Sequence, residues 1–265
     1  MIIIGERING QFTDVRKAIK KKDKEVIQKL ALGQLDAGAD YLDVNVGTAV
    51  PSKEKADAMV WLIETIQEVT DAPLALDTPI LSVMKASLSA VKNPPMINST
   101  QADPEKLETY LNLAIDNDAS LIALTMDKDG VPNDVAKRIE LAGNIVVSAM
   151  EVGFPFEKLF IDPIILPVSA IQTQPGFVLE TLQQLQGIAD PPPHLVLGLS
   201  NVSQNTVERS LINRTYLVMC IAMGLDSAIL DPFDEELMNA MITAELLLNK
   251  QIYSDSFLAA YHSSR

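Results

Sequence analysis

The sequence predicts a closed (β/α)₈ barrel that forms one domain from residue 1 to residue 265. Eight short stretches of apolar and β-branched residues recur along the chain, and each is followed by a longer segment with helical spacing. The short stretches are apolar on both faces, as strands of a parallel sheet covered by helices must be. Eight such units in 265 residues match the size of this barrel. An open, doubly wound sheet also alternates strands with helices and is the alternative.

The predicted strands are separated clearly enough to be assigned one by one. They cover residues 1–6, 41–46, 73–78, 96–100, 120–126, 159–165, 194–202 and 227–232. No Pro-, Gly- or Ser-rich linker divides the chain, which favours a single domain. The final segment "YSDSFLAAYHSSR" is predicted to be a last turn or cap without a function of its own.

Segments between the strands carry helix signals. The stretch 52–70 has one apolar stripe with Glu and Lys on the opposite side. The stretch 103–117 opens with Asp103 as a candidate N-cap, followed by Pro104 at the first helical position. The repeating unit is therefore a strand followed by a helix.

Charge and hydropathy exclude several classes of function. The net charge is −14, from 21 Lys and Arg against 35 Asp and Glu, which opposes binding to nucleic acid and to anionic lipid. No apolar run approaches the ~18 residues of a membrane span, and the amino terminus lacks the pattern of a signal peptide. We expect a cytoplasmic protein without nucleic-acid or membrane partners.

Cysteine and histidine are too few for several kinds of site. Cys220 is the only cysteine, and His194 and His262 are the only histidines. This excludes an intrachain disulfide, a cysteine- or histidine-based metal site and a Ser-His-Asp triad. The phosphate-binding pattern GxxxxGK[ST] is also absent. We expect Cys220 to be a core thiol, His194 to be a structural residue at the start of a strand, and the chemistry to need no metal.

Polar residues follow nearly every predicted strand. In such a barrel the active site lies at the carboxyl ends of the strands. The carboxylates, amides and other residues predicted there are Glu6, Asn9, Asp43, Asn45, Asp77, Asn98, Met126, Asp162, Asn201 and Asp231. For Asn9, Asp43 and Asp231 the alternative role is to cap a helix or fix a turn.

Four of these residues interrupt an apolar run from within. They are Asp77, Asn98, Asp162 and Asn201. An unpaired polar group in such a place would cost ~1–3 kcal/mol, so a shared ligand is the simpler explanation. A carboxylate can accept two parallel N–H bonds from an amino-pyrimidinone edge. The residues therefore favour a neutral, nitrogen-rich heterocycle as the ligand.

Several longer motifs resemble a known family. The segments "IIGERING", "LDVNVG", "MINST", "IDPIILP", "GLSNVSQN" and "LINRTYL" resemble the methyltetrahydrofolate:corrinoid protein methyltransferases. This pterin-binding barrel family also includes the folate module of cobalamin-dependent methionine synthase and, more distantly, dihydropteroate synthase. The resemblance runs from Met1 to about Phe257 and implies a homodimeric barrel with the pterin at its carboxyl-end mouth.

The resemblance also implies roles for individual residues. Asp77, Asn98 and Asp162 would bind the pterin ring, with Gln204 and Arg209 nearby on the loop that carries Asn201. Asn201 would be catalytic and act at the methyl-bearing nitrogen. Breaking a carbon–nitrogen bond there leaves negative charge on nitrogen, which an amide donor can stabilise in the transition state.

The implied reaction moves a methyl group between 5-methyltetrahydrofolate and the cobalt of a corrinoid, in either direction. The DxHxxG motif of cobalamin modules is absent, so we expect no tightly bound cofactor and a corrinoid supplied by a partner protein. A non-catalytic folate-binding protein and a barrel enzyme for another amide or sugar substrate remain alternatives. A dihydropteroate-synthase-like enzyme is a third, although the acidic "AILDPFDE" lacks the basic ending of that family's last strand.

Overall fold

The computed structural model describes residues 1–263 and shows eight parallel strands in a closed barrel. The predicted fold is thereby confirmed, because β8 pairs with β1 and closes the sheet. The strands are β1 (Ile2–Asn9), β2 (Tyr41–Asn45), β3 (Leu74–Asp77), β4 (Met96–Gln101), β5 (Ser120–Leu124), β6 (Leu159–Asp162), β7 (His194–Gly198) and β8 (Ser227–Leu230). The last two residues of the predicted domain and tail lie outside the described residues.

Ten helices within the described residues surround the barrel. They are α1 (Thr13–Lys21), α2 (Lys24–Asp36), α3 (Lys55–Gln67), α4 (Leu81–Ala90), α5 (Pro104–Asp116), α6 (Val135–Glu151), α7 (Gln174–Leu185), α8 (Arg209–Ala222), α9 (Glu235–Leu247) and α10 (Phe257–Ser263). Helix α5 begins as predicted, because the Asp103 side chain accepts a hydrogen bond from the backbone N–H of Lys106. Helix α10 packs against α9. No described helix is long and apolar enough to cross a membrane.

Two strands end three or four residues earlier than predicted, which is the largest difference at a strand end in that direction. Strand β6 ends at Asp162, because Pro163 has no N–H for the sheet and Ile164 adopts a φ of 60°. Strand β7 ends at Gly198, because residues Leu199–Asn201 turn into a short 3₁₀ helix. Both ends lie at the mouth of the barrel, where the chain leaves regular pairing.

The barrel interior has an apolar layer near the amino ends of the strands, which we call the floor layer. It consists of the buried residues Ile4, Ala75, Met96, Ile122, Phe160 and Val196. Side chains two positions apart on a strand point to the same face. The next inward positions form the mouth layer, which consists of Glu6, Asp77, Asn98, Leu124, Asp162 and Gly198.

Two residues predicted to be structural lie away from the mouth. His194 begins β7, stacks on Phe160 at a ring distance of 4.6 Å, and places Nδ1 2.7 Å from Asp226 Oδ2. Cys220 is buried in the core, and this burial raises the pKa of its thiol to about 12. Both residues serve the packing of the barrel, as the sequence predicted.

Candidate functional site

A cavity of about 600 Å³ opens at the carboxyl ends of the strands. Most of the predicted site residues line it together. They are Glu6, Asn9, Asp43, Asn45, Asp77, Asn98, Asn201, Gln204, Arg209 and Asp231. The cavity therefore gathers side chains from the first four strands, from the loop after β7, from the start of α8 and from the segment that follows β8.

Two predicted site residues lie beside the cavity rather than on its lining. Asp162 is 8% exposed and accepts hydrogen bonds from the backbone N–H of Ile164, at 2.7 Å, and from that of Gly198. Gly198 does line the cavity, so Asp162 lies directly behind the wall. Met126 is half-buried, and its Sδ is 3.9 Å from Gln101 Nε2.

Hydrogen bonds join the ends of β2, β3 and β4. Asn98 Nδ2 donates to Asp43 Oδ1 at 3.0 Å, and Asn45 Nδ2 donates to Asp77 Oδ2. Asn45 Oδ1 in turn accepts the backbone N–H of Gly47 at 2.5 Å. Asp43 is thus a partner of Asn98 rather than a helix cap.

The two neighbouring carboxylates have raised pKa values. Burial, and then the nearby charge of Asp77, raise the pKa of Asp43 well above its usual range, while the bond from Asn98 opposes the rise. Burial raises the pKa of Asp77 to about 6, against the opposing hydrogen bond from Asn45. The cavity therefore holds two carboxyl groups whose pKa values lie above the usual range of aspartate.

Glu6 connects β1 to the loop after β7. Its Oε1 accepts a hydrogen bond from Ser200 Oγ at 2.6 Å. Burial raises the pKa of Glu6 to about 7, with the Ser200 bond opposing this rise. A carboxyl group with a pKa near neutral pH is thus hydrogen-bonded to Ser200, the residue that precedes Asn201.

The loop after β7 is held by Arg209. Its Nε donates to Ser203 Oγ and its Nη2 donates to Ser200 O, both at 3.2 Å. Asn201 lies exposed on this loop, and its backbone oxygen accepts the N–H of Gln204 at 3.2 Å. A Cβ atom added at Gly198 would lie only 3.0 Å from Asn201 Nδ2, so the glycine lets the amide lie over the end of β7.

Two other predicted residues combine turn formation with the cavity wall. Asn9 Oδ1 accepts the N–H of Gln11 at 2.9 Å, and Asp231 Oδ1 accepts the N–H of Phe233 at 3.1 Å. Both also line the cavity, so the turn role proposed for them coexists with a place in the site. The intervening Gly10 has no space for a side chain, because an added Cβ would lie 2.0 Å from Val46 O.

Several lining residues were missed by sequence reasoning. They are Gln11, Phe12, Gly198, Ser200, Ser210, Asn213, Ile229, Asp234 and Leu237. The two-residue period of β8 contained a signal for Ile229, which lies two positions before Asp231. Asn213 and Leu237 come from α8 and α9, and their approach to the mouth depends on helix packing. Across residues 1–263, no group of three or more His, Cys, Asp or Glu side chains is arranged to hold a metal ion.

Fold and site together define a class: a (β/α)₈ barrel whose mouth is a cavity of carboxylates and amides. Residues 7–231 match the pattern of the pterin binding enzymes, and the chain belongs to this family. The family predicted from the short motifs is thereby confirmed.

Two kinds of protein are similar to this chain in sequence. The chain is 33% identical to the methylcorrinoid:tetrahydrofolate methyltransferase of Eubacterium limosum, over 100% of this chain and 97% of that protein. It is 26% identical to the methionine synthase of Mycobacterium tuberculosis, over 86% of this chain but only 20% of that protein. The chain therefore spans about a fifth of the methionine synthase and nearly all of the first relative.

Solved structures support the fold. The dihydropteroate synthase of Xanthomonas albilineans with 4-aminobenzoic acid has a TM-score of 0.70 and 18% identity, over 93% of each chain. The Yersinia pestis dihydropteroate synthase with a sulfonamide drug complex has a TM-score of 0.70 and 16% identity, over 94% of each chain. At these identities the likeness concerns the barrel alone.

Proposed function

We propose that the protein transfers a methyl group between 5-methyltetrahydrofolate and the cobalt of a corrinoid carried by a partner protein. One observation carries this proposal: Asp77, Asn98 and the amide of Asn201 line one cavity, and Asp162 lies directly behind its wall at Gly198. Similarity to the Eubacterium limosum methyltransferase over the whole chain supports it. A transferase that acts on folate and a corrinoid fits both the cavity and this similarity.

The base of the cavity suits a pterin ring. A pterin offers adjacent ring and amino N–H donors, which a carboxylate accepts as a parallel pair. Asp77 already accepts one bond, from Asn45, and Asp162 accepts two backbone bonds. These bonds fix the orientation of each carboxylate, and each carboxylate keeps further lone pairs that can accept N–H groups of the ring. Asn98 Nδ2 donates to Asp43, so Asn98 Oδ1 is the atom that would accept a hydrogen bond from the ring.

The rim of the cavity suits the chemical step. The carbon–nitrogen bond breaks, and its electron pair stays on the nitrogen, which takes up a proton. The electron pair of the reduced corrinoid cobalt forms the new bond to the methyl carbon. The Asn201 amide donates to that nitrogen as its charge grows. Glu6 has a pKa of about 7 and accepts a hydrogen bond from Ser200, which precedes Asn201. It can therefore hold a proton near the Asn201 amide. Its carboxyl group is matched to proton transfer at neutral pH.

The partner and assembly belong to the same proposal. The chain is a cytoplasmic homodimer without a tightly bound cofactor, and a separate protein presents the corrinoid at the open mouth. The name of the Eubacterium limosum relative gives methylcorrinoid and tetrahydrofolate as reactants, so transfer to tetrahydrofolate is the direction to assay first.

Binding and transfer are tested separately. Calorimetric titration with tetrahydrofolate should saturate at one ligand per chain, and single-turnover reaction with methylcobalamin should produce 5-methyltetrahydrofolate. Saturable binding without transfer to or from any corrinoid would indicate a folate-binding protein instead. A flat titration would indicate another substrate class. Formation of dihydropteroate from a dihydropterin pyrophosphate and 4-aminobenzoate would favour the synthase alternative.

A further inference from the structure

Arg138 is a fully buried cation behind the mouth of the barrel. It lies in the first turn of α6, and none of its surface is exposed. Its Nε donates to Pro163 O at 2.8 Å, and its Nη2 donates to Gln174 Oε1 at 2.5 Å and to Ile164 O at 3.4 Å. Nη1 is buried without a hydrogen-bond partner among the described residues. Burying a charge so incompletely paired is costly, so packing alone does not explain an arginine here.

The guanidinium holds the segment that follows β6. Ile164 has a φ of 60°, a conformation that β-branched residues rarely adopt. Arg138 binds the carbonyls of Pro163 and Ile164, which fixes this turn. In that geometry the Ile164 N–H points back and donates to Asp162 Oδ1 at 2.7 Å. Arg138 is therefore connected to the Asp162 carboxylate through a single turn of backbone.

The connection continues to the catalytic rim. The Asp162 carboxylate also accepts the backbone N–H of Gly198, the last residue of β7. Gly198 lies against the Asn201 amide, as the 3.0 Å approach of an added Cβ to Nδ2 shows. A displacement of Asp162 would thus reach both the base of the cavity and the Asn201 loop.

We propose that Arg138 is a positioning residue that favours the ionised form of the Asp162 carboxylate and orients it toward the ligand. The ligand in this statement rests on the proposed pterin-dependent function. Arg138 touches neither the cavity nor a reacting atom, and acts through its charge and through the turn at Ile164.

The charges around Asp162 agree with this assignment. Burial raises the pKa of Asp162 to about 7, while the two backbone hydrogen bonds and then the charge of Arg138 oppose the rise. Tyr216, on α8, is the other titratable group that faces Asp162, and burial keeps it neutral by raising its pKa. Asp134 faces Arg138 from the start of α6. Arg138 is thus the cation that favours the ionised form of Asp162.

The test measures protonation of Asp162 without any ligand. Protein labelled with ¹³C at the aspartate carboxyl carbons is titrated by NMR, and the Asp162 signal is assigned by its loss in Asp162→Asn. The midpoint should be near pH 7 in the wild type and clearly higher in Arg138→Met, because the neutral side chain no longer favours the carboxylate. Arg138→Lys retains the charge and should restore a midpoint close to that of the wild type.

A second measurement follows tetrahydrofolate affinity against pH. At pH 7 Arg138→Met should bind about tenfold more weakly, and much of the loss should disappear above pH 8, where Asp162 is ionised again. If Arg138→Met does not fold, Arg138→Gln replaces it in both measurements. The glutamine is neutral but retains an amide N–H group that can donate to Pro163 O. Thr65→Val is the control for a buried substitution away from Asp162, because Thr65 lies on α3, which packs against α2 and α4. It should leave the affinity for tetrahydrofolate unchanged.

Unchanged midpoints in the neutral variants would overturn the proposal, whatever happens to stability. A shifted midpoint with Arg138→Lys behaving like the neutral variants would also overturn it, because charge would then not be the cause. The NMR titration needs no folate. A wild type that fails to bind tetrahydrofolate therefore refutes the proposed function separately from the role of Arg138.

Discussion

The floor layer and the mouth layer of the barrel come from the same strands and differ by two residues. The corresponding pairs are Ile4 and Glu6, Ala75 and Asp77, Met96 and Asn98, and Phe160 and Asp162. In the floor layer every side chain is apolar and fully or almost fully buried. In the mouth layer these four strands carry three acids and one amide at the inward positions, and Leu124 and Gly198 complete the layer. One backbone geometry thus supplies an apolar core at one level and the wall of a polar cavity at the next.

The two layers contribute to stability with opposite sign. Burying an apolar side chain of the size found in the floor layer stabilises the fold by about 1.5–3 kcal/mol. The mouth layer buries carboxyl groups, and burial raises the pKa values of Glu6 and Asp162 to about 7 and that of Asp77 to about 6. The free protein would be more stable with these groups neutral, so the mouth layer opposes stability where the floor layer supports it.

The largest expected effect falls on the floor layer. Phe160→Ala removes a buried ring that also stacks on His194, and should lower the free energy of unfolding by about 3–5 kcal/mol. Tetrahydrofolate affinity of the folded variant should stay within about threefold of the wild type. Urea denaturation and calorimetry measure the two quantities. A large loss of affinity with little loss of stability would mean that the layers are not separable.

The next effect concerns turnover at the rim. Asn201→Ala should slow single-turnover methyl transfer by about 10²–10³, or ~2.7–4 kcal/mol, because the amide meets charge that develops only in the transition state. Stability should hardly change, since Asn201 is exposed. Asn144→Ala, an exposed asparagine on α6, is the matched control.

Ser203 would be a poor control, because its Oγ accepts a hydrogen bond from Arg209. If the defect of Asn201→Ala disappears at saturating folate, the amide acts in binding and not in catalysis.

A third effect concerns binding at the base of the cavity. Asp77→Ala and Asp162→Ala should each weaken tetrahydrofolate binding by ~1.5–3 kcal/mol, the value of a charge-assisted hydrogen bond. Calorimetry on the folded variants measures this. Asp116→Ala, an exposed carboxylate at the end of α5, should bind like the wild type. Affinities within twofold of the wild type would remove the aspartate concerned from the site.

Much of this contrast was readable in the sequence. Asp77, Asn98 and Asp162 interrupt apolar strands at the carboxyl end, and the two-residue period of a strand places them on one inward face. Local patterns also found all eight strands, because parallel strands covered by helices are apolar on both faces. Information within a few residues was enough for both.

Other features depend on contacts between distant segments. Arg138 stands at a helix start, where an arginine normally faces solvent, and only packing of the segment after β6 buries it. The turn of residues Leu199–Asn201 looked like a continued strand, because its leucine is buried like those of β7. Asp162 lies behind Gly198 because β6 and β7 are adjacent in the barrel. Neither sequence segment alone predicts this contact.

The smallest expected effect is a gain in stability from a change that harms binding. Burial raises the pKa of Asp162 from 3.8 to about 7, so between these pH values the folded chain binds more protons than the unfolded chain. The contribution of Asp162 to the stability of the ligand-free protein should therefore fall as pH rises from about 4 to 7 and then level off. Asp162→Asn removes one of the groups responsible, and should raise stability at pH 8 by about 1 kcal/mol, or about 2–4 °C in Tm.

At pH 4, where Asp162 is already neutral in the folded protein, the two proteins should differ little. Thermal unfolding of both at pH 4 and pH 8 measures this difference, with Asp116→Asn as the exposed control. The same Asp162→Asn protein should bind tetrahydrofolate more weakly at pH 8, because its amide offers one acceptor oxygen where the carboxylate offers two. A variant that is both less stable and weaker in binding at pH 8 would show that Asp162 supports the fold as the floor layer does. The contrast between the layers would then not extend to β6.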